Sequence, residues 1–385
     1  MTLTAHQEAA SAVDVLARWS QEPLEFRADM EHIEDDEADV AIAIGRIMRS
    51  IAEAVLEDEG KAERGVHAKS HGIVIGELRV HEGLPPSLAQ GLFARPATYP
   101  VVMRLSTIPG DVLDDRVSVP RGIGIKVIGV DGARLPGSED DLTQDFLMVD
   151  APTFGLATPR DFLQGLKGLA ATTDTVPMLK RGLSTFLRGA EKTLEAMGLE
   201  SSLLRTLGGH PLTHILGETF YTQLPLLYGR HVAKLSLVPV SEHLLALKGL
   251  PLDSFVASGS PNPIREAVID HFEHHGGRWE LRVQLCTSLQ SMPIEDGSVT
   301  WPEPESPYVT VATLDAGVQD VWSSGRVAQV DLGMAFSPWR GLAAHRPLGA
   351  LNRVRKSAYG ASARYRAQAN GQVLREPRSR HDLPA

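Results

Sequence analysis

The stretch "ERGVHAKSHG", residues 63–72, places Arg64 three residues before His67, directly ahead of a run typical of a β-strand. A single histidine in such a place is more often a hydrogen-bonded structural residue than a catalytic one. Its meaning therefore depends on what else the chain can place beside it.

A second stretch, "RVRKSAYGASARYR" at residues 353–366, sets a tyrosine among basic residues. Arg355 precedes Tyr359 by four positions and Arg366 follows it by seven, so the three side chains share one face of a predicted helix. Taken alone, a basic helix is more typical of a solvated surface or an anion contact than of a catalytic site.

Between these stretches the chain alternates strand-like and helix-like segments. An acidic run at 35–58 and a run at 348–369 have helical patterns, as does "VPMLKRGLSTFLRGAEKTLEAMGL" at 176–199. Eight apolar runs bounded by Gly and Pro predict strands in two groups of four. The predicted strands are 72–80, 99–107, 122–130, 145–151, 231–240, 279–287, 308–316 and 327–336.

The predicted fold class is α+β, an eight-stranded antiparallel β-barrel with inserted helices, because closure leaves no exposed strand edges. The chain is interpreted as one domain, since no linker or repeat divides it. Its predicted parts are an N-terminal helical arm, a first barrel half, a helical insert, a second barrel half and a C-terminal helix with its tail, at 1–60, 61–153, 154–228, 229–338 and 339–385.

The run Val66-His67-Ala68-Lys69 resembles the distal histidine motif of haem catalases. Arg355 and Tyr359 then resemble the proximal R-x-x-x-Y motif of that family, and the arginine that follows the tyrosine by seven matches Arg366. The similarity indicates a minimal, catalase-related member of the haem catalase superfamily.

Two further elements carry the resemblance. Catalases have an R-F-S-T element on the next strand, which Arg104-Leu105-Ser106-Thr107 resembles, and then P-R-G-F-A-V-K-F, which "PRGIGIKV" at 120–127 resembles. The similarity spans roughly residues 60–155 and 327–370 and is not evident in the helical insert.

The resemblance implies haem b as cofactor, with Tyr359 as the iron ligand. A phenol has an ordinary pKa of about 10, so the phenolate needs a neighbouring cation, for which Arg355 is placed. Guanidinium groups bind carboxylates through paired hydrogen bonds, so Arg64, Arg104 and Arg366 are expected to pair with the haem propionates.

On the other side of the haem, the resemblance implies that His67 moves a proton between the two peroxide oxygens. Ser106 is expected to orient the imidazole, and Val66 to narrow access to the iron. Phe146 and Phe154 are candidate aromatic walls of the pocket, with ordinary core packing as the alternative for each.

One catalase feature is missing. Catalases also use a distal asparagine, but the three asparagines of this chain, Asn262, Asn352 and Asn370, lie outside residues 138–154. Gln144 is the nearest chemical substitute, and weak catalase activity is expected. The NADPH site of larger catalases is not carried over.

The predicted function is haem-dependent reduction of hydrogen peroxide or an organic hydroperoxide through a ferryl intermediate, with a second peroxide or a small organic reductant as donor. One alternative is a fatty-acid hydroperoxide lyase or dehydratase resembling allene oxide synthase, although those enzymes carry threonine where this chain has Val66. The other is a non-enzymatic haem-binding protein or a basic-helix interaction module.

The composition of the chain argues against several other classes of protein. A formal net charge of −10 argues against general nucleic-acid binding, and the single cysteine, Cys286, excludes a disulfide framework. No apolar run is long enough to span a membrane, and the first residues do not have the pattern of a secretory signal, so a cytoplasmic protein is expected. Catalase relatives associate, which predicts a homo-oligomer, a dimer or a tetramer.

Overall fold

The computed structural model describes residues 21–108, 112–117, 119–173 and 211–384. The predicted helix at 176–199 lies outside these ranges. Within them, no helix is both long and apolar enough to cross a bilayer.

Nine antiparallel strands build the central sheet. Strand β5 pairs with β4 through Val149 and Tyr221, and also with β7 through Phe220 and Leu237, so eight strands close into a barrel and β6 extends from β7 as a hairpin. The strands are β1 (Lys69–Val80), β2 (Thr98–Thr107), β3 (Arg121–Ile128), β4 (Thr143–Val149), β5 (Phe220–Tyr221), β6 (Leu226–Tyr228), β7 (His231–Pro239), β8 (Gly277–Leu285) and β9 (Val309–Ala316).

The predicted closed barrel is confirmed, and seven of the predicted strands are present. The strand predicted at 327–336 is wrong, because this segment begins with a π-helix, Val327–Leu332. The strand that completes the barrel is instead β5, whose two residues lie in the interval predicted to be helical.

Helices pack around one side of the barrel. The predicted helices at 35–58 and 348–369 are confirmed as α1 and α7, and α1 packs against both α2 and α7. The helices are α1 (Glu37–Glu59), α2 (Pro159–Thr173), α3 (Glu242–Leu245), α4 (Asp253–Val256), α5 (Pro263–His274), α6 (Ser324–Arg326) and α7 (Ala350–Ala369).

Successive side chains of a strand point alternately into the barrel and away from it. On β2, Met103 and Leu105 face the apolar barrel interior, while Arg104 and Ser106 face outward. The outward face of β2 to β4 is therefore the polar side of the sheet, and α7 lies across from it.

Candidate active site

A cavity of about 380 Å³ lies between the outward face of β2 to β4 and helix α7. Its size is in the range of small-molecule and cofactor sites. The sequence-predicted site residues all line it, although their separate roles stay predictions: Arg64, Val66, His67, Arg104, Ser106, Gln144, Phe146, Phe154, Arg355, Tyr359 and Arg366.

His67 is held in a strained position on one side of this cavity. Its backbone is left-handed, with φ of 54°, a region that non-glycine residues rarely adopt. A Cβ atom on Gly122 of β3 would lie 2.4 Å from Cε1 of the imidazole. The close approach of the ring to β3 therefore requires glycine at position 122.

Ser106 orients the imidazole. Its Oγ lies 3.2 Å from Nδ1 of His67 and 3.4 Å from the carbonyl oxygen of Gly122. If the hydroxyl donates to that carbonyl, it accepts from the Nδ1–H of His67, and Nε2 keeps its lone pair. This tautomer suits a group that accepts a proton at Nε2.

The surroundings favour a neutral His67. Burial, followed by the positive charge of Arg104, lowers the pKa of His67 to about 3, while the charge of Asp150 acts in the opposite direction. The imidazole is thus available as a base at neutral pH.

Helix α7 supplies the opposite side of the cavity. Tyr359 lines it, and the described part of the chain provides no hydrogen bond to its hydroxyl. One turn earlier, Arg355 donates from Nε to the carbonyl of Leu351 and from Nη2 to Asn352, leaving Nη1 without a described partner. A phenol and a guanidinium with unused donors therefore face the same space.

Three arginines converge on Asp331 beside the cavity. Nε of Arg104 lies 2.5 Å from Oδ1 of Asp331, and Arg64 and Arg366 donate to the main-chain oxygen of Asp331 over 2.7 and 2.8 Å. Burial alone would raise the pKa of Asp331, but the positive charges of Arg104 and Arg64 outweigh it and lower the pKa. Asp331 is therefore an anion at neutral pH.

Comparison with solved structures identifies the fold. No protein-family model and no curated protein matches the chain. Similar solved structures include a fungal catalase at 17% identity with a TM-score of 0.57, covering 86% of this chain and 64% of that one. Catalase A from Saccharomyces cerevisiae matches at 16% identity with a TM-score of 0.56, covering 90% and 68%. A bacterial catalase matches at 16% identity with a TM-score of 0.53, covering 84% and 62%.

The chain adopts the catalase fold. At identities of 16–17%, the similarity shows the fold alone. The chain spans about two thirds of the length of the catalases it matches.

In this catalase fold, Gln144 is poorly placed to replace a distal asparagine. It lies on β4, five residues before Val149, with Oε1 accepting from the Leu342 N–H over 2.8 Å and Nε2 donating to the Asp145 carbonyl over 3.1 Å. Five strand residues span about 16 Å, so Gln144 is far from the end of β4 that lies nearest His67. The arrangement gives the predicted catalytic role no support.

The two phenylalanines differ. Phe146 is 3% exposed and stacks with Phe93 in the barrel core at 6.4 Å, so core packing accounts for it. The ring of Phe154 lies 4.8 Å from the guanidinium carbon of Arg355 and packs edge-on against Phe162. Phe154 is therefore the better candidate for an aromatic wall of the catalase-fold cavity.

Sequence reasoning did not find two carboxylates near His67. Asp150 directly follows β4. Its N–H donates to the Arg121 carbonyl and its Oδ1 accepts from the Arg121 N–H, and its charge acts on the imidazole of His67. Asp331 lies in the segment 327–336, whose apolar pattern predicts a strand. The distal group of catalases is an amide, so an acid at the end of β4 does not match the pattern that the resemblance predicts.

Proposed function

We propose that the protein is a haem-dependent peroxidase related to catalases, which reduces hydrogen peroxide or an organic hydroperoxide. The observation that supports this most strongly is the pairing of His67, hydrogen-bonded to Ser106, with Tyr359 in one cavity of a catalase fold. Neither motif alone would justify the proposal, because each has an ordinary structural explanation.

The donor set of the cavity fits a haem. Tyr359 would hold the iron as a phenolate stabilised by Arg355, whose Nη1 has no hydrogen bond to the described residues. Arg64 has two nitrogens, Nε and Nη1, without a partner in the described ranges, so it can take a propionate. Apolar walls such as Leu147 and Phe154 suit a flat macrocycle.

The bound haem would supply the redox chemistry that breaks the O–O bond. In the chain itself, Nε2 of His67 accepts a proton from the entering peroxide and returns it to the leaving oxygen. Ser106 holds the ring in the tautomer that this requires, and Val66 limits the size of what reaches the iron. The ferryl step, weak catalase turnover, a small organic reductant and a dimer or tetramer remain predictions.

An absorption spectrum tests the haem site directly. Wild-type protein, Tyr359→Phe and Tyr365→Phe are each loaded with haem b; Tyr365 lies on the same helix under Arg49 and is the matched control. We expect a tyrosinate-ligated spectrum in the wild type and in Tyr365→Phe, and its loss in Tyr359→Phe. A wild-type protein that purifies colourless with haem supplied contradicts the proposal.

Product analysis then separates the reactions. The haem-loaded protein is given hydrogen peroxide with and without an organic reductant, and separately a fatty-acid hydroperoxide. Oxygen release or reductant oxidation supports the proposal. Formation of an allene oxide from the lipid substrate would assign the chain to the hydroperoxide dehydratases, and no reaction at all would leave a haem-binding protein.

A further inference from the structure

Each of the three guanidinium nitrogens of Arg104 already has a hydrogen-bond partner. Nε binds Oδ1 of Asp331, Nη1 donates to the carbonyl of His67 over 2.9 Å, and Nη2 donates to the carbonyl of Ala68 over 3.0 Å. Two of its five N–H groups, one on each Nη, are left, so a propionate would have to share the guanidinium with these three partners. Arg104 is therefore better suited to hold the chain at His67 than to hold a ligand.

The backbone that Arg104 binds, at His67 and Ala68, is a strained segment. His67 has a φ of 54°, and a strained backbone of this kind persists only when its surroundings determine it. The two carbonyls bound by Arg104 are those of His67 itself and of the next residue. Arg104 thus fixes the peptide unit that sets the direction of the imidazole.

Asp331 in turn fixes Arg104. It lies in the π-helix Val327–Leu332, and its main-chain oxygen accepts from both Arg64 and Arg366. Its carboxylate lies 2.5 Å from Nε of Arg104 and 3.5 Å from Nη2 of Arg64. π-helical turns are rare and are found frequently at functional sites. Asp331 is thus a charged residue of an irregular turn that lies against Arg104.

We propose that Asp331 is a positioning residue for catalysis, which acts through Arg104 to hold His67 at the angle that peroxide reduction requires. This inference rests on the proposed function. It assigns Asp331 and Arg104 to the histidine, and it leaves Arg64, which has unused donors, to the carboxylates of the cofactor and Arg355 to the phenolate of Tyr359.

Asp331→Asn tests the proposal because it keeps the shape of the side chain and removes the charge. Asp141→Asn is the matched control, since Asp141 also pairs with an arginine at a partly buried site, Arg340 at 2.8 Å, away from the cavity. In the haem-loaded protein we expect Asp331→Asn to lower kcat for peroxide by about 10²-fold with KM and the tyrosinate spectrum unchanged. Asp141→Asn should keep the wild-type kcat.

Two further variants test the proposal even if Asp331→Asn does not fold. Arg104→Lys removes the planar guanidinium fork while keeping a positive charge, and should lower kcat in the same way. Asp331→Glu keeps the carboxylate and should recover most of the rate. A wild-type rate in Asp331→Asn would overturn the proposal, as would a loss of haem binding with normal turnover of the haem that remains.

A measurement on the haem-free protein tests the positioning role of Asp331 independently of the proposed function. In protein labelled with ¹⁵N-histidine, the ring signals of His67 are identified by their loss in His67→Gln. We expect them to shift in Asp331→Asn and to stay in place in Asp141→Asn. Unmoved signals in Asp331→Asn overturn the positioning role, whether or not the wild-type protein consumes peroxide.

Discussion

His67 has a pKa of about 3 because burial and the charge of Arg104 both disfavour its protonated form. A distal histidine that stays neutral between about pH 5 and 8 can accept a proton throughout that range. Its own ionisation therefore does not set the pH dependence of turnover. Burial also lowers the pKa of three other histidines, and this makes the stability of the folded protein depend on pH.

The folded protein should lose stability as the pH falls from about 6.5 to 4. Burial lowers the pKa of His214 and His345 to about 4 and that of His71 well below its ordinary value. In this window the unfolded chain takes up protons that the folded chain refuses, so each of the three contributes a loss of up to about 1.4 kcal/mol per pH unit. Asp145, whose pKa burial raises to about 6, and Asp115, whose pKa burial also raises, act in the opposite direction but are outnumbered by the histidines whose pKa burial lowers.

Urea unfolding at pH 7 and pH 5 measures this effect. We expect the free energy of unfolding to be lower at pH 5. A variant of an exposed histidine, His381→Gln, should show the same pH dependence as the wild type. Equal stability at the two pH values would contradict the prediction.

Gly122→Ala should impair the distal side selectively. The added Cβ would lie 2.4 Å from Cε1 of His67, so the imidazole must move or β3 must shift. We expect kcat to fall by about 10²-fold and the protein to lose about 1–3 kcal/mol of stability. The control is Gly45→Ala on α1, where no heavy atom lies within 4 Å of the new Cβ and the helix should gain about 0.5–1 kcal/mol. A fully active Gly122→Ala would show that the ring tolerates displacement.

At the scale of elements, sequence patterns predicted long strands and helices well and short or irregular ones poorly. The alternation Val330, Leu332, Met334 imitates a strand, but the carbonyls of this segment turn toward Arg64 and Arg366, and the backbone forms a π-helix. Strand β5 has two residues, too few for any periodicity. Both errors come from tertiary contacts that outweigh local pattern.

The segment that leads to His67 is tied to the end of α7. Asn370 directly follows α7, accepts from the Ala62 N–H over 2.9 Å and donates to the Ala62 carbonyl over 2.8 Å. We expect Asn370→Ala to cost about 2 kcal/mol, because two partly buried hydrogen bonds are lost. Thermal or urea unfolding measures it. Gln368→Ala, at an exposed position on α7, is the control, and equal stability of the two variants would show that the link is unimportant.

At the scale of the whole molecule, the sequence predicted reliably which residues lie in one cavity. It predicted the contacts and roles of these residues less well. Catalase-like motifs nearly three hundred residues apart, at His67 and Tyr359, line one cavity because the barrel closes and α7 returns to its outer face. The partners of Arg104 and the position of Gln144 depend on register and on one irregular turn. Neither property leaves a signal in a single sequence.

The chain after α7 also belongs to this architecture. Residues 371–384 return to the barrel, and there Glu376 contacts Lys126 at 2.7 Å and accepts from the Ala335 N–H over 3.1 Å. Lys126 is fully buried, with Asp145 as its other carboxylate at 2.6 Å. Removing one of two partners from a buried ammonium leaves part of its charge uncompensated.

Glu376→Gln should therefore destabilise the protein by about 3 kcal/mol. The tail offers its own control, because Arg380 pairs with Glu77 at 3.2 Å where both side chains are at least half exposed, and exposed pairs contribute little. We expect Glu77→Gln to unfold at the wild-type urea concentration and Glu376→Gln at a clearly lower one. If both variants behave alike, the tail is held by its backbone contacts and the buried charge on Lys126 is satisfied by Asp145 alone.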